Sequence, residues 1–195
     1  MNAAPILPSL ISAHSPKKLR QKLSDIEMTS MEPLDATFYT TYLLTLLRLE
    51  ELPEARFLMK RAPSDVSQEP QFHSAHLLLK AAWKNDFAVT YELAQTSPWT
   101  SVEKPLVNEY INRVRESVVL LLSQAYTCIG LSRAAQVLGL GEAEASKAFQ
   151  DKGWEVEGEL VYPKPRPAEA DEQNMDRIAT FTNLVDHLQK SFPIS

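Results

Sequence analysis

The stretch from Tyr126 to Tyr162, YTCIGLSRAAQVLGLGEAEASKAFQDKGWEVEGELVY, constrains the fold more than any other, because it compresses two short helical patterns and a hairpin signal into one run. Ser132 stands where an N-cap hydroxyl would satisfy free backbone N–H groups, and Ala134, Ala135 and Leu138 give an apolar face before Gly139 ends the turn. A second helix is predicted at once: Glu142 and Glu144 suit the dipole of its first turn, and Ala145, Ala148 and Phe149 recur at helical spacing until Gly153. Trp154 and Val156 then precede Glu157-Gly158, with Leu160 and Val161 after, which predicts a two-stranded hairpin. Pro163, Pro165 and Pro167 stop strand and helix alike, since proline lacks the amide proton both ladders need. Residues 130–162 therefore read as a winged helix.

A winged helix often puts its second helix into the DNA major groove. Here the charges oppose that use. From Leu140 to Gly153 the supposed recognition helix sets Glu142, Glu144 and Asp151 against Lys147 and Lys152, and an acidic helix gains nothing from phosphates. The whole chain carries net charge −5 with pI near 5.4, so neither nucleic acid nor an anionic membrane attracts it generally. A module for packing against other proteins is the better reading. The sequence has no apolar run long enough for a membrane span, and its N-terminus, MNAAPILPSLISAHSPKK, shows no basic lead before an apolar block; an intracellular protein is expected.

Upstream of the winged helix the chain reads as helices. Residues 1–14 look like a flexible apolar lead, with Pro5 and Pro8 blocking helix, and residues 15–129 like a helical-repeat region. Ser15-Pro16 starts the first helix, with Leu19, Leu23 and Ile26 as its stripe. Asp35 caps a second, on which Phe38, Tyr42, Leu43, Leu46 and Leu47 recur; Leu52-Pro53 opens a third, ended by Pro63. The polar run from Pro63 to Pro70 reads as a loop. Phe72, Ala75, Leu78, Leu79 and Ala82 mark a fourth helix, and Asp86 caps a fifth, ended by Ser97-Pro98. Glu103-Lys104-Pro105 starts the longest, whose seam of Leu106, Tyr110, Val114, Val118, Leu121, Leu122 and Ala125 is predicted to run to Ile129. A displacement of 35 residues sets Leu43 on Leu78, Leu44 on Leu79, Leu52 on Phe87, Leu58 on Leu93 and Pro63 on Pro98. That period favours a short solenoid of helix pairs over an up-down bundle.

Beyond the wing, residues 163–172 read as a proline-rich acidic linker, and residues 173–192 as one more helix. Ile178, Phe181, Val185, Leu188 and Phe192 recur every three or four positions, the narrow seam of a helix that packs on other helices. Those side chains either fold back on their own domain or join helices supplied by partners.

Groups able to do chemistry are scarce. Five glycines, at 130, 139, 141, 153 and 158, make no phosphate-cradling loop. His73 and His76 share a helix without a third ligand at metal spacing, and no G-x-S-x-G elbow is present. Cys128, the only cysteine, excludes an intrachain disulfide and is expected as a buried inert thiol on the apolar face of a helix end. No catalytic, cofactor-binding or metal-binding residue is assigned, and the chain is expected to be neither an enzyme nor a cofactor carrier.

The predicted fold is thus all-α dominated: a short helical-repeat array of TPR or HEAT type, a winged helix with a small β-hairpin wing, and a C-terminal helix. Several blocks occur in this order: ARFLMKRAP (Ala55 to Pro63), WKNDF (Trp83 to Phe87), LLSQAYT (Leu121 to Thr127), EAEASKAFQDKGW (Glu142 to Trp154), Pro-Lys-Pro after the wing, and IATFTNLVDHLQ near the end. With this layout they give a chain that resembles the PCI-domain family of scaffold subunits, found in the proteasome lid, the COP9 signalosome and translation initiation factor three. Within that family the signalosome branch is most similar. The resemblance implies a non-catalytic subunit, cytoplasmic and nuclear, of the complex that removes Nedd8 from cullins and so regulates cullin-RING ubiquitin ligases. Other PCI subunits would be its direct partners and the ligases indirect ones, with no nucleic acid and no membrane. Small PCI subunits of the proteasome lid or of initiation factor three share the layout and remain the alternatives, ahead of a nucleic-acid-binding winged helix. Carried over from the family, Trp154, Val156, Leu160, Val161 and Tyr162 would form an edge contact with a sister subunit, and Ile178, Phe181, Val185, Leu188 and Phe192 the seam of a shared helix bundle. The plainer alternative for the wing is that these side chains, Trp154 first, seal the domain's own core.

Overall fold

The structure, a computed structural model, describes residues 7–31 and 33–164. The seam of the predicted C-terminal helix lies outside them. Ten helices and three short strands are seen among the described residues. The most apolar segment sets the centre. Helix α3 (Ala36–Arg48) is buried at every position from Phe38 to Leu47, the outcome expected of a helix that is hydrophobic all round. Asp35 caps it by accepting the Phe38 N–H at 3.0 Å. Two of its buried threonines are satisfied within the helix, Thr40 Oγ1 donating to the Ala36 carbonyl and Thr45 Oγ1 to that of Thr41.

Around α3 pack α2 (Pro16–Thr29), α4 (Leu52–Arg61), the one-turn α5 (Ser64–Ser67), α6 (Pro70–Lys84) and α8 (Glu103–Ala125). Helix α7 (Phe87–Thr96) packs on α6 and α8. The predicted period is visible in the element bounds: a shift of 35 residues carries Leu52–Arg61 onto Phe87–Thr96. It also carries Glu50 onto Asn85, and these are the two non-glycine residues with positive φ among those described, at 61° and 54°. Both helix pairs turn the corner through the same left-handed position.

Three expectations in this region are corrected. Pro8 does not block helix: α1 spans Leu7–Ala13, because a proline in the first turn gives up an N–H that has no partner there in any case, and Leu7 is buried in the core. The stretch from Pro63 to Pro70 is not all loop, since α5 forms there to bury Val66. Helix α8 ends at Ala125 rather than running on to Ile129, which is taken into a sheet.

That sheet has three strands, not the two of a simple hairpin: β1 (Ile129–Gly130), β2 (Glu155–Glu157) and β3 (Leu160–Tyr162), in the order β1-β3-β2, all antiparallel. Between β1 and β2 lie α9 (Leu131–Leu138) and α10 (Glu142–Asp151). Because β1 pairs with β3, α9 starts at Leu131 with Gly130 at its cap, and the Leu131 N–H donates to the Glu159 carbonyl at 2.7 Å. The capping hydroxyl expected of Ser132 is therefore not used. Gly139 closes α9 at φ 60°, and Gly158 opens the two-residue turn between β2 and β3 at φ 59°.

Two apolar cores result, one under the repeat helices around α3 and one inside the winged helix. Phe87 and Val114 pack against both. Helix α8 serves each in turn, burying Leu106, Val107, Tyr110 and Ile111 in the first and Val118 and Leu122 in the second.

Candidate functional site

The outer face and free edge of the winged-helix sheet form the candidate site. Its register separates the side chains. Ile129, Val156 and Val161 face one another across the three strands, whereas Gly130, Leu160 and Glu157 form the adjacent row, and Glu155 pairs with Tyr162. Alternation along a strand turns the first row inward and the other two outward. Val161 is accordingly fully buried with Ile129, and Val156 packs half-buried against the same core. Leu160 keeps 43% of its surface exposed, beside a glycine that offers no side chain to cover it.

Sheet order leaves β2 an outer strand, with one edge paired to β3 and no partner strand on the other among the described residues. A free edge is a template for pairing with another chain, and Glu155 and Glu157 flank this one with charge that discourages indiscriminate association. It can take an added strand. No three His, Cys, Asp or Glu residues among those described are grouped to hold a metal.

The five wing residues predicted as contacts are thus divided. Trp154 follows the plainer alternative: it is buried, its ring stacked on Phe149 with centroids 4.9 Å apart and planes 1° from parallel, so it seals the core. Val161 is corrected for the same reason, since its strand position points it inward. Val156 faces the core but keeps partial exposure; Leu160 and Tyr162 are on the outer face. The Tyr162 phenol lies beside the Cys128 thiol, which pushes its pKa up, with burial and Glu157 adding to the effect. Cys128 itself is corrected too: it is half-buried in the bend between α8 and β1, not buried on a helix. Ile178, Phe181, Val185, Leu188 and Phe192 lie outside the described residues.

The end of α8 was missed as a surface. Leu121, predicted in the buried seam, is 55% exposed, and Leu120 and Tyr126 are exposed with it. Val118 and Leu122, four apart, already fill the inner row, and Leu121 falls a residue to one side of it. A three-or-four rule accepts either leucine; only packing chooses.

The winged helix is locked to the repeat array at one corner. The Arg115 guanidinium lies 5.4 Å above the Tyr91 ring and donates from Nε to the Leu138 carbonyl at 3.3 Å, at the C-terminus of α9 where a cation is favoured. The sheet is therefore held relative to α7 and α8.

Comparison with known proteins gives one family. The family model described as CSN8/PSMD8/EIF3K family matches residues 33–173. A protein of Emericella nidulans named COP9 signalosome complex subunit 8 is 30% identical over 134 residues, 66% of this chain and 63% of its own length. This chain thus spans less than two thirds of that fungal relative. The Arabidopsis thaliana protein of the same name is 26% identical over 155 residues, covering 77% of this chain and 79% of the relative. That of Xenopus tropicalis is 24% identical over 199 residues, covering 93% and 100%.

Proposed function

The chain belongs to the CSN8/PSMD8/EIF3K family, and from that premise we propose that it is a non-catalytic scaffold subunit of a COP9 signalosome, the counterpart of that complex's smallest, eighth subunit. Relatives from a fungus, a plant and an amphibian carry that subunit's name. The complex removes Nedd8 from cullins, so the chain would act on cullin-RING ligases indirectly, by holding other subunits in place. Its direct partners would be PCI-domain subunits, and its location cytoplasmic and nuclear. Among the described residues no helix is long and apolar enough to cross a membrane.

The observation that carries the assembly role is the unpaired edge of β2 beside the exposed Leu160, on a winged helix fixed to a rigid repeat array. Strand addition at that edge would give affinity through main-chain hydrogen bonds, and Leu160 and Tyr162 would select the partner. The seam of Ile178, Phe181, Val185, Leu188 and Phe192 is proposed as the second attachment, into a helix bundle shared with sister subunits.

Purification of the tagged full chain from cell extract tests the reading. Cullins and several signalosome subunits are the expected companions. Recovery of proteasome-lid or initiation-factor-three subunits would transfer the chain to that branch, and recovery of no PCI subunit would end the proposal.

A further inference from the structure

Helix α6 carries a second surface that the wing does not explain. His76, Lys80 and Lys84 recur every four residues and so form one row along the helix, about 12 Å long at the usual rise. Like charges at that spacing repel, and Lys80 and Lys84 are paired with no carboxylate among the described residues. Beside this row runs another, of Leu79 and Trp83, and the Trp83 indole is left 52% exposed. From α4, Arg56 reaches across with its guanidinium 5.8 Å from the Trp83 ring centroid. These six side chains line a groove of about 350 Å³ into which no acidic residue projects. The His76 imidazole reports the same field. Burial holds its pKa below the usual value, and the neighbouring Lys80 and His73 depress it further while no carboxylate offsets them.

An uncompensated cationic row next to an exposed indole, on a chain whose net charge is −5, attracts anions locally while the molecule as a whole repels them. Lys80 and Lys84, one helical turn apart with Arg56 across from them, match a few carboxylates of an extended segment and are too few for the continuous groove that a nucleic-acid strand follows. The acidic first turn of α10, with Glu142 and Glu144, adds no second stripe for a polyanion. We propose that the α4–α6 groove is a docking site for a short acidic segment of a partner protein, its carboxylates on Arg56, Lys80 and Lys84 and one apolar side chain on Trp83, with the buried Leu79 beneath. This site is separate from the β2 edge and does not depend on which complex the chain joins.

Fluorescence anisotropy on the full chain, with a short labelled peptide of Asp and Glu around one central Leu, tests it. Binding is expected that weakens about tenfold between roughly 50 and 300 mM salt. The double variant Lys80→Glu with Lys84→Glu should weaken it by at least about tenfold, and Trp83→Ala by a few fold. Lys18→Glu with Lys22→Glu, on the exposed face of α2, changes net charge equally and should leave binding as it was. If the α6 charge reversal unfolds the chain by circular dichroism, Lys80→Gln with Lys84→Gln replaces it, with a loss of several fold expected. Absence of peptide binding, equal loss in the α2 and α6 variants, or tighter binding of single-stranded RNA or of phosphatidylserine vesicles would each overturn the proposal.

Discussion

Tyr91 and Gly139 meet where the repeat helices join the winged helix, and there the choice of residue is set by space as well as by backbone. A Cβ built on Gly139 would fall 2.2 Å from the Tyr91 ring, and φ at 60° is itself unfavourable to any L side chain. Gly139→Ala should therefore cost about 2–4 kcal/mol in denaturant unfolding. Gly158 has nearly the same φ but open space around it, and Gly158→Ala should cost only about 1–2 kcal/mol. Comparing the two separates backbone strain from collision. Glu103 poses a different problem. It is fully buried at the start of α8, where one carboxylate oxygen accepts the Thr100 N–H at 2.9 Å and the other lacks a partner. Burial raises its pKa above the ordinary 4.5, the Thr100 hydrogen bonds opposing the shift. In the window above 4.5 the folded chain then holds a proton that the unfolded chain has released, so the stability from Glu103 is full below 4.5 and is lost as pH rises through the raised value. Glu103→Gln removes this titration: urea midpoints measured from about pH 4 to 7 should fall less with rising pH in the variant than in the parent chain.

At the scale of the element, the three-stranded sheet decides which wing residues are structural. Trp154 and Leu160 are six positions apart, yet the first stacks on Phe149 in the core and the second faces outward. Trp154→Ala should cost about 3–5 kcal/mol and loosen the winged helix, seen as loss of tryptophan-region ellipticity and a lower urea midpoint. Leu160→Asp should leave stability within about 0.5 kcal/mol and, under the proposed assembly role, abolish co-purification with sister subunits. The hairpin half of the sheet was readable from Glu157-Gly158 between apolar pairs. Strand β1 was not. Two residues carry no periodicity, and Ile129-Gly130 becomes a strand because β3 is there to pair with it. The same event shortens α8 and moves the start of α9, so one long-range pairing accounts for three boundary corrections. Pro8 and Val66 belong to another kind of correction, in which tertiary burial of a neighbouring residue makes a short helix worthwhile despite weak local signals.

At the scale of the whole molecule, the described residues up to Pro163 form one compact unit whose two cores share Phe87, Val114 and the length of α8. A chain ending at Lys164 should therefore unfold in a single transition by calorimetry. It should lose whatever assembly depends on the seam from Ile178 to Phe192. Two separated transitions would show instead that Phe87 and Val114 do not couple the cores. By itself the sequence determined the helix series, the period of 35 residues and the winged helix, because each rests on local signals: apolar spacing, Asp35 and Asp86 caps, and turn glycines at 139 and 158. Only the tertiary structure decided that Trp154 and Val161 turn inward, that Leu121 and Leu160 stay exposed, and that Lys80, Trp83 and Arg56 share one groove. Spacing along a chain fixes which side chains lie on one face of an element. Which face is covered depends on contacts with residues far away in sequence, and no local pattern contains them.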